Sequence, residues 1–133
     1  MLITNINKYI LLIKIRINNI NNQQELKCEN GRYVGQVVNG LREGKGIYYI
    51  NNGDRYEGEW KNDKQEGKGI KYWNNDPFRG DRYEGDYRND KKEGKGIYYY
   101  HNDDREMGDF YNDKPIGKHV KLTRNGEVKI NNY

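Results

Sequence analysis

Apolar and polar residues alternate with a period of two along most of this chain. In the segment RYEGEWK, Tyr56, Gly58 and Trp60 share one parity, and charged residues occupy the positions between them. Successive side chains of a β-strand point to opposite faces, so this period predicts a strand with one aromatic and one charged face. Turn-forming residues follow at 62–66, and glycines then lead into a run at 70–73 that is predicted to be the returning strand. The unit is therefore predicted to be a β-hairpin.

The same unit recurs along the chain. We expect an N-terminal segment at 1–28, four repeats within 29–127, and a tail at 128–133. The repeats cover about 31–54, 55–81, 82–104 and 105–127. They keep one register, apart from an insertion at 76–79 that we place in a connection between strands. A single hairpin is marginal in water, so the repeats must stabilise one another by stacking.

Glycine recurs at fixed positions of every repeat. Glycine weakens a strand, so this recurrence needs a structural reason. One reason is that the ring of a Tyr or Trp lies across the glycine backbone of a neighbouring strand. The alternative is that the glycines form bulges and turns. The predicted structural glycines are Gly35, Gly44, Gly46, Gly58, Gly67, Gly69, Gly85, Gly94, Gly96, Gly108 and Gly117.

Composition supports an all-β fold without a deep core. The chain contains no Ser and no Ala, its hydrophobic share is 33%, and most of its aromatic residues are Tyr. Helix propensity is therefore low, whereas strand and turn residues are plentiful. Cys28 is the single cysteine, so the chain cannot form an internal disulfide. We predict a single-layer, elongated, twisted antiparallel sheet of stacked hairpins.

The sequences YEGEW, GKG and GDRYEG together resemble the MORN repeat, the membrane occupation and recognition nexus motif. The resemblance covers roughly residues 31–126. It implies a scaffold or targeting module found at cytoskeletal structures, cilia and membrane junctions, and in some proteins at anionic phospholipids. Three residues depart from the pattern at the ends of the array: Val37 replaces an aromatic residue, Glu106 replaces the leading Tyr, and His119 replaces a glycine.

An aromatic series is the first candidate site. Its rings are expected either to pack between repeats or to form a groove for a protein partner, since Tyr and Trp are common anchors of interfaces. The series consists of Tyr33, Tyr56, Trp60, Tyr83, Tyr87 and Phe110.

A basic C-terminal segment is the second candidate site. The repeats interleave Lys with Glu and Asp, which argues against nucleic-acid binding, but both ends of the chain are basic. The segment is expected to be either a last hairpin with solvated lysines or a patch that binds anionic lipid or an acidic protein. Its members are Lys114, Lys118, His119, Lys121 and Arg124.

The N-terminal segment has two interpretations. Ile6, Ile10, Ile13, Ile17 and Ile20 have helical spacing, whereas the residues from 13 to 17 alternate as a strand would. A third interpretation is low-complexity sequence without a role of its own. The apolar run at 9–13 is too short to cross a membrane as a helix.

These features favour a binding scaffold over an enzyme. We expect no catalytic residues, no metal site and no cofactor, and a cytoplasmic protein located at the cytoskeleton, at a cilium or at the membrane periphery. Protein partners are the first expectation, anionic phospholipid is the alternative, and homo-oligomerisation stays open. The repeats also resemble the arrays of SET-domain methyltransferases and phosphatidylinositol phosphate kinases. The repeats extend nearly to Tyr133, however, which leaves no length for a catalytic domain after them.

Overall fold

The protein folds as one open antiparallel sheet. The computed structural model describes residues 5–10, which are helical, and residues 23–133, which hold ten strands. The strands are β1 (Gln23–Cys28), β2 (Gly31–Val38), β3 (Leu41–Ile50), β4 (Arg55–Lys61), β5 (Lys64–Tyr72), β6 (Arg82–Arg88), β7 (Lys91–Tyr99), β8 (Arg105–Tyr111), β9 (Lys114–Leu122) and β10 (Val128–Asn132).

Strand order in the sheet is the same as strand order in the sequence. Each strand pairs only with the strands before and after it, from β1 at one edge to β10 at the other. Each hairpin therefore contacts only its neighbours, as in other repeat proteins. The predicted fold class, an elongated single-layer antiparallel sheet of stacked hairpins, is confirmed.

The hairpin turns are shorter than the sequence suggested. The turn at Asn62 and Asp63 has two residues with φ of 48° and 67°, and β5 already begins at Lys64. Positive φ at both central residues is typical of a type I′ turn, which Asn and Asp tolerate better than most residues. The turn predicted at 62–66 was therefore too long, because Lys64, Gln65 and Glu66 pair as part of the strand.

Both ends of the predicted repeat array carry additional strands. β1 pairs with β2, so the last residues of the predicted N-terminal segment form an edge strand. Helical residues at 5–10 include Ile6 and Ile10, whereas Ile13, Ile17 and Ile20 lie outside the described residues. The tail forms β10, which pairs with β9. Residues 76–79 lie in the connection between β5 and β6.

One face of the sheet carries the core. We call it the aromatic face. Residues that pair across two strands lie on the same face of a sheet. The aromatic face therefore bears Tyr33, Tyr56 and Tyr83 together with Tyr48 and Tyr98. Its rings make edge-to-face contacts with centroids 4.9 to 5.5 Å apart, in the favourable T-shaped geometry. The contacts run continuously, in this order, through Tyr33, Trp60, Tyr56, Tyr87, Tyr83, Phe110, His119 and Tyr133.

Glycine makes room for these rings. The Tyr56 ring lies against the backbones of Gly58 and Gly69, and a Cβ added at Gly69 would overlap it. A different series, which includes Gly44 and Gly67, has positive φ values of 58° and 72° where the strand register shifts. Both expected reasons therefore operate, each at its own positions: extended glycines accept a ring, and glycines with positive φ form the bulges.

Two departures in the last repeat compensate for each other. Glu106 takes the place of the ring-bearing Tyr, and His119 takes the place of a glycine on the adjacent strand. The imidazole of His119 lies over Gly108, where a Cβ would overlap it. The ring that covers the glycine is thus supplied by β9 instead of β8, and the aromatic layer continues to the C-terminal end of the sheet.

Candidate functional site

The six aromatic residues of the first candidate site form the buried core. Their exposed fractions range from 0% to 6%. Burial raises the pKa of Tyr33 to about 12, and it also raises the pKa values of Tyr56, Tyr83 and Tyr87. These rings are covered by the protein itself, so they pack between repeats and present no surface to a partner.

Other rings of the aromatic face are partly accessible. Lys92 places its ammonium 5.3 to 5.8 Å from the ring centroids of Trp73, Tyr83, Tyr98 and Phe110. Desolvation lowers the pKa of Lys92, and the neighbouring charge of Lys71 adds to this effect. The equivalent residue two repeats earlier, on β3, is Arg42, whose guanidinium lies 4.3 Å from the Trp60 ring centroid. Cations thus cover the aromatic core, which limits its accessibility from this side.

The five residues of the predicted basic patch do not lie together. Lys121 is on the aromatic face, where it pairs with Asp104 at 3.1 Å and lies over the Tyr100 ring. Lys118 points to the opposite face, since it lies three residues before Lys121 along β9 and successive side chains alternate between faces. Lys114 begins β9 at a hairpin turn, and Arg124 follows β9 in the connection to β10.

His119, the fifth member, is buried with an exposed fraction of 1%. Its Nε2 donates a hydrogen bond to the Asp109 carbonyl at 2.9 Å, and its Nδ1 lies 3.5 Å from a carboxylate oxygen of Glu106. Glu106 also accepts hydrogen bonds from Tyr100, Asn131 and Tyr133. His119 therefore joins the last strands to the core and does not belong to a surface patch.

The opposite side of the sheet, which we call the open face, bears Lys45, Ile47 and Tyr49 of β3 and their equivalents on the other strands. A groove of about 540 Å³ crosses the strands here. Its floor is the row of glycine backbones that includes Gly46, Gly58 and Gly69. A second groove of about 500 Å³, lined by residues of β5 to β8, continues in the same direction. The open face thus offers an accessible trough along the repeats.

The two walls of the groove differ in chemistry. One wall alternates Lys with acids, for example Lys45 opposite Glu59 and Lys68 opposite Asp86. The other wall alternates aliphatic residues with Glu in the paired row Val34, Ile47, Glu57, Ile70, Glu84 and Ile97. A polypeptide segment with both apolar and charged side chains would find a complementary surface in this trough.

Beside the groove wall that is formed by aliphatic residues and Glu, Arg and Tyr alternate across the sheet. The guanidiniums of Arg32, Arg55 and Arg82 lie 4.0 to 4.2 Å from the ring centroids of their cross-strand tyrosines. Each Arg also contacts an acid, at 3.8 Å for Glu25, 3.9 Å for Glu57 and 2.8 Å for Glu84. Partners on two sides hold these cations in fixed positions.

Comparison with known families agrees with this geometry. The model of the MORN repeat matches residues 33–55, 56–76 and 83–105, which together make up half of the chain. The chain belongs to the MORN-repeat family. A search of curated proteins found no match.

The matched MORN segments end where the sequence departs from the pattern. The last of them stops at residue 105, one position before Glu106. The hairpin formed by β8 and β9 nevertheless continues the same sheet, with a register shift one position earlier than in the preceding hairpin. The sheet therefore extends beyond the matched MORN segments.

The all-β fold of MORN repeats is a non-catalytic repeat type, and it is consistent with a repeat-based binding module. Within residues 5–10 and 23–133, no three His, Cys, Asp or Glu side chains group as metal ligands would. No helix in the same residues is long and apolar enough to span a bilayer.

Sequence reasoning missed the Arg–Tyr rows and the groove. Their signal was present as the RY dipeptide at the start of the first three units and the Tyr near the end of the following strand. The residues pair across strands, however, so their contact becomes visible only when the register is known.

Proposed function

We propose that this MORN-repeat protein is a non-catalytic scaffold that binds protein partners along the groove of the open face. The observation that supports this proposal is the groove, which has a glycine floor, one wall of aliphatic residues and Glu, and one wall of Lys and acidic residues. The core aromatic residues are buried, whereas the groove of the open face is accessible to a partner. A cytoplasmic site of action, at cytoskeletal or ciliary structures, is part of this proposal.

Affinity capture from the organism's own cells tests the proposal. The tagged full chain is compared with Ile70→Asp, which places a charge on the aliphatic wall, and bound proteins are identified by mass spectrometry. The matched control is Leu41→Asp, because Leu41 is 39% exposed beside a hairpin turn and lies outside the groove. We expect specific partners to be lost from the Ile70 variant and kept by the control.

A set of partners that is the same for all three proteins would contradict binding in the groove. Circular dichroism of each variant shows that the sheet is intact, so that a loss of partners reports the surface and not the fold. Localisation is tested separately by imaging the tagged chain together with cytoskeletal and ciliary markers. Diffuse staining without either structure would contradict that part of the proposal.

Association with anionic phospholipid is a second candidate function. The observation that favours it is the exposure of Lys114, Lys118 and Arg124 near the C-terminal end of the sheet. A Lys or Arg near an anionic membrane contributes roughly 1 kcal/mol of binding free energy. Sedimentation with liposomes tests it: binding to anionic liposomes that falls with added salt is expected, and equal binding to neutral liposomes would contradict it.

A further inference from the structure

The charge pattern of the open face changes in the last repeat. In the earlier repeats, Arg55 and Arg82 each have a glutamate two residues later on the same strand. At the equivalent place after Arg105 stands Met107, and no ion pair joins Arg105 to another described residue. Arg105 therefore carries a charge on the open face that its own strand does not compensate.

Lys118, on the groove wall that is formed by Lys and acidic residues, also lacks the acidic neighbour that its equivalents have. Its equivalents Lys68 and Lys95 lie opposite Asp86 and Asp109 on the following strand. Lys118 instead lies opposite Asn132 of β10, and it forms no ion pair within the described part of the chain. Both cationic rows thus end with an exposed positive charge.

Aliphatic residues fill the space between these two cations. Met107, Val120 and Ile130 form one paired row across β8, β9 and β10. Leu122 extends this surface beside Arg105, where the earlier repeats have a tyrosine. Met107 is 39% exposed and Ile130 is 52% exposed. We call this surface the end patch, and it consists of Arg105, Met107, Lys118, Val120, Leu122 and Ile130.

We propose that the end patch binds an acidic amphipathic helix of a protein partner. This inference rests on the proposed scaffold function and names the chemistry of one partner segment. The aliphatic rows would receive the apolar stripe of the helix, and Arg105 and Lys118 would pair with glutamates or aspartates on its two flanks.

The dimensions of the patch support a helix. Arg105 pairs with Leu122, and Lys118 lies four residues before Leu122 on β9. At about 3.3 Å per residue, the two cations are therefore roughly 13 Å apart along the strand direction. A helix with its side chains is about 10–12 Å wide, so it fits between the two cations. A bilayer has no features of this width, and it would not require one cation on each side of an apolar strip.

A designed peptide tests the proposal. The probe is a fluorescein-labelled peptide of about 18 residues with Leu at helical spacing and Glu on both flanks of the apolar stripe. A second probe replaces every Glu with Lys. Anisotropy titrations use the full chain at low and high salt, and we expect only the Glu probe to bind, more weakly as salt increases.

Three variants locate the binding site. Met107→Glu restores the glutamate of the earlier repeats beside Arg105, so the fold is retained while the patch loses charge and apolar surface. We expect it to weaken binding at least about tenfold, and Arg105→Glu combined with Lys118→Glu to abolish it. The matched control Lys64→Glu changes an exposed lysine at the start of β5 that lines neither the groove nor the end patch, and we expect it to bind like wild type.

Several outcomes would overturn the proposal. These are absence of binding to the Glu probe, equal binding by Met107→Glu and wild type, or binding only to phosphatidylserine vesicles. A wild-type dimer that Met107→Glu dissociates, without probe binding, would instead assign the patch to a second copy of the chain. Partner capture that depends on Ile70 while the probe fails would leave the scaffold function standing and reject the end patch alone.

Discussion

At the scale of single residues, the fold depends on a pairing between a ring and a glycine. Tyr56 has no exposed surface, lies against Gly58 and Gly69, and donates a hydrogen bond to the Glu59 carbonyl at 3.2 Å. The glycine Cα leaves room that a methyl group would fill. The ring in turn buries a backbone that would otherwise be open to water.

A double-mutant cycle tests this pairing. Gly69→Ala should lower the free energy of unfolding by about 1–3 kcal/mol, because the added methyl group overlaps the Tyr56 ring. In a Tyr56→Leu background the alanine should cost less, since the shorter side chain leaves space. Denaturant unfolding of the four proteins measures the coupling.

The control for this cycle is Gly126→Ala, at a glycine with φ of 86° and no neighbouring atom where the Cβ would lie. Its cost reflects backbone strain and should be the same in both Tyr56 backgrounds. Strictly additive costs for Gly69→Ala and Tyr56→Leu would refute the packing role of the ring.

At the scale of the hairpin, aspartates join each unit to the next. At the hairpin turns, Oδ1 of Asp63, Asp90 and Asp113 accepts a backbone hydrogen bond from the preceding repeat at 2.8 to 2.9 Å. At the opposite edge, Oδ1 of Asp54 and Asp81 accepts one from the following connection. These acids thus satisfy backbone donors of the neighbouring repeat.

Two substitutions of Asp90 separate its backbone role from its side-chain role. Asp90 has φ of 67°, and its side-chain Oδ1 accepts a hydrogen bond from the backbone N–H of Gln65. Asp90→Gly keeps the turn but loses the acceptor, so we expect a loss of about 1 kcal/mol in unfolding free energy. Asp90→Asn keeps both the turn and an acceptor oxygen and should be close to neutral. Thermal or denaturant unfolding compares them, and equal losses for both variants would contradict the role of the acceptor.

The last hairpin contains a buried carboxylate whose titration should be measurable. Burial alone would raise the pKa of Glu106, but hydrogen bonds from Asn131, Tyr133 and Tyr100 and the charge of His119 together lower it. A lowered folded pKa means that the ionised group stabilises the fold above its ordinary value of 4.5. This contribution is lost as the pH falls through the lowered folded value.

We therefore expect wild type to be more stable than Glu106→Gln at pH 7, and the difference to shrink below about pH 4.5. Denaturant unfolding of both proteins between pH 7 and pH 3 measures it. A difference that stays constant over this range would show that the charge of Glu106 does not stabilise the sheet.

At the scale of the whole molecule, stability is built from neighbour contacts along one direction. Every strand pairs only with its sequence neighbours, and the edge strands β1 and β10 each have a single partner. In such arrays the units at the ends open more readily than those at the centre.

Hydrogen exchange tests this organisation. The backbone amides of β4 to β7 should be protected most, and those of β1 and β10 least, since the outer strands open without disrupting the rest of the sheet. Native-state exchange followed by mass spectrometry or NMR measures the gradient. Uniform protection across all strands would indicate a single cooperative unit instead.

The fold was largely predictable from sequence because it is repetitive and local. A period of two, glycines at fixed intervals and Asn-Asp turns specify hairpins, and a hairpin that stacks on identical hairpins gives one sheet. The length of the turn at Asn62 could not be predicted as reliably, because the φ values that allow a two-residue turn are not visible in composition.

The candidate sites were less predictable. The six aromatic residues were correctly placed on one face, but their burial follows from rings stacked across several strands. The five basic residues adjoin one another in sequence, yet alternation and chain reversal distribute them over two faces and two edges. His119 left the predicted patch because its ring fills the space over Gly108.

The sequence alone determined the repeat, the strand period and the family, because these depend on residue spacing along one chain. The tertiary structure decided which residues meet across strands: the Arg–Tyr rows, the groove and the end patch. Those contacts depend on strand register, which a bulge shifts in the hairpins β2–β3, β4–β5, β6–β7 and β8–β9. The surface chemistry therefore follows from the assembled sheet.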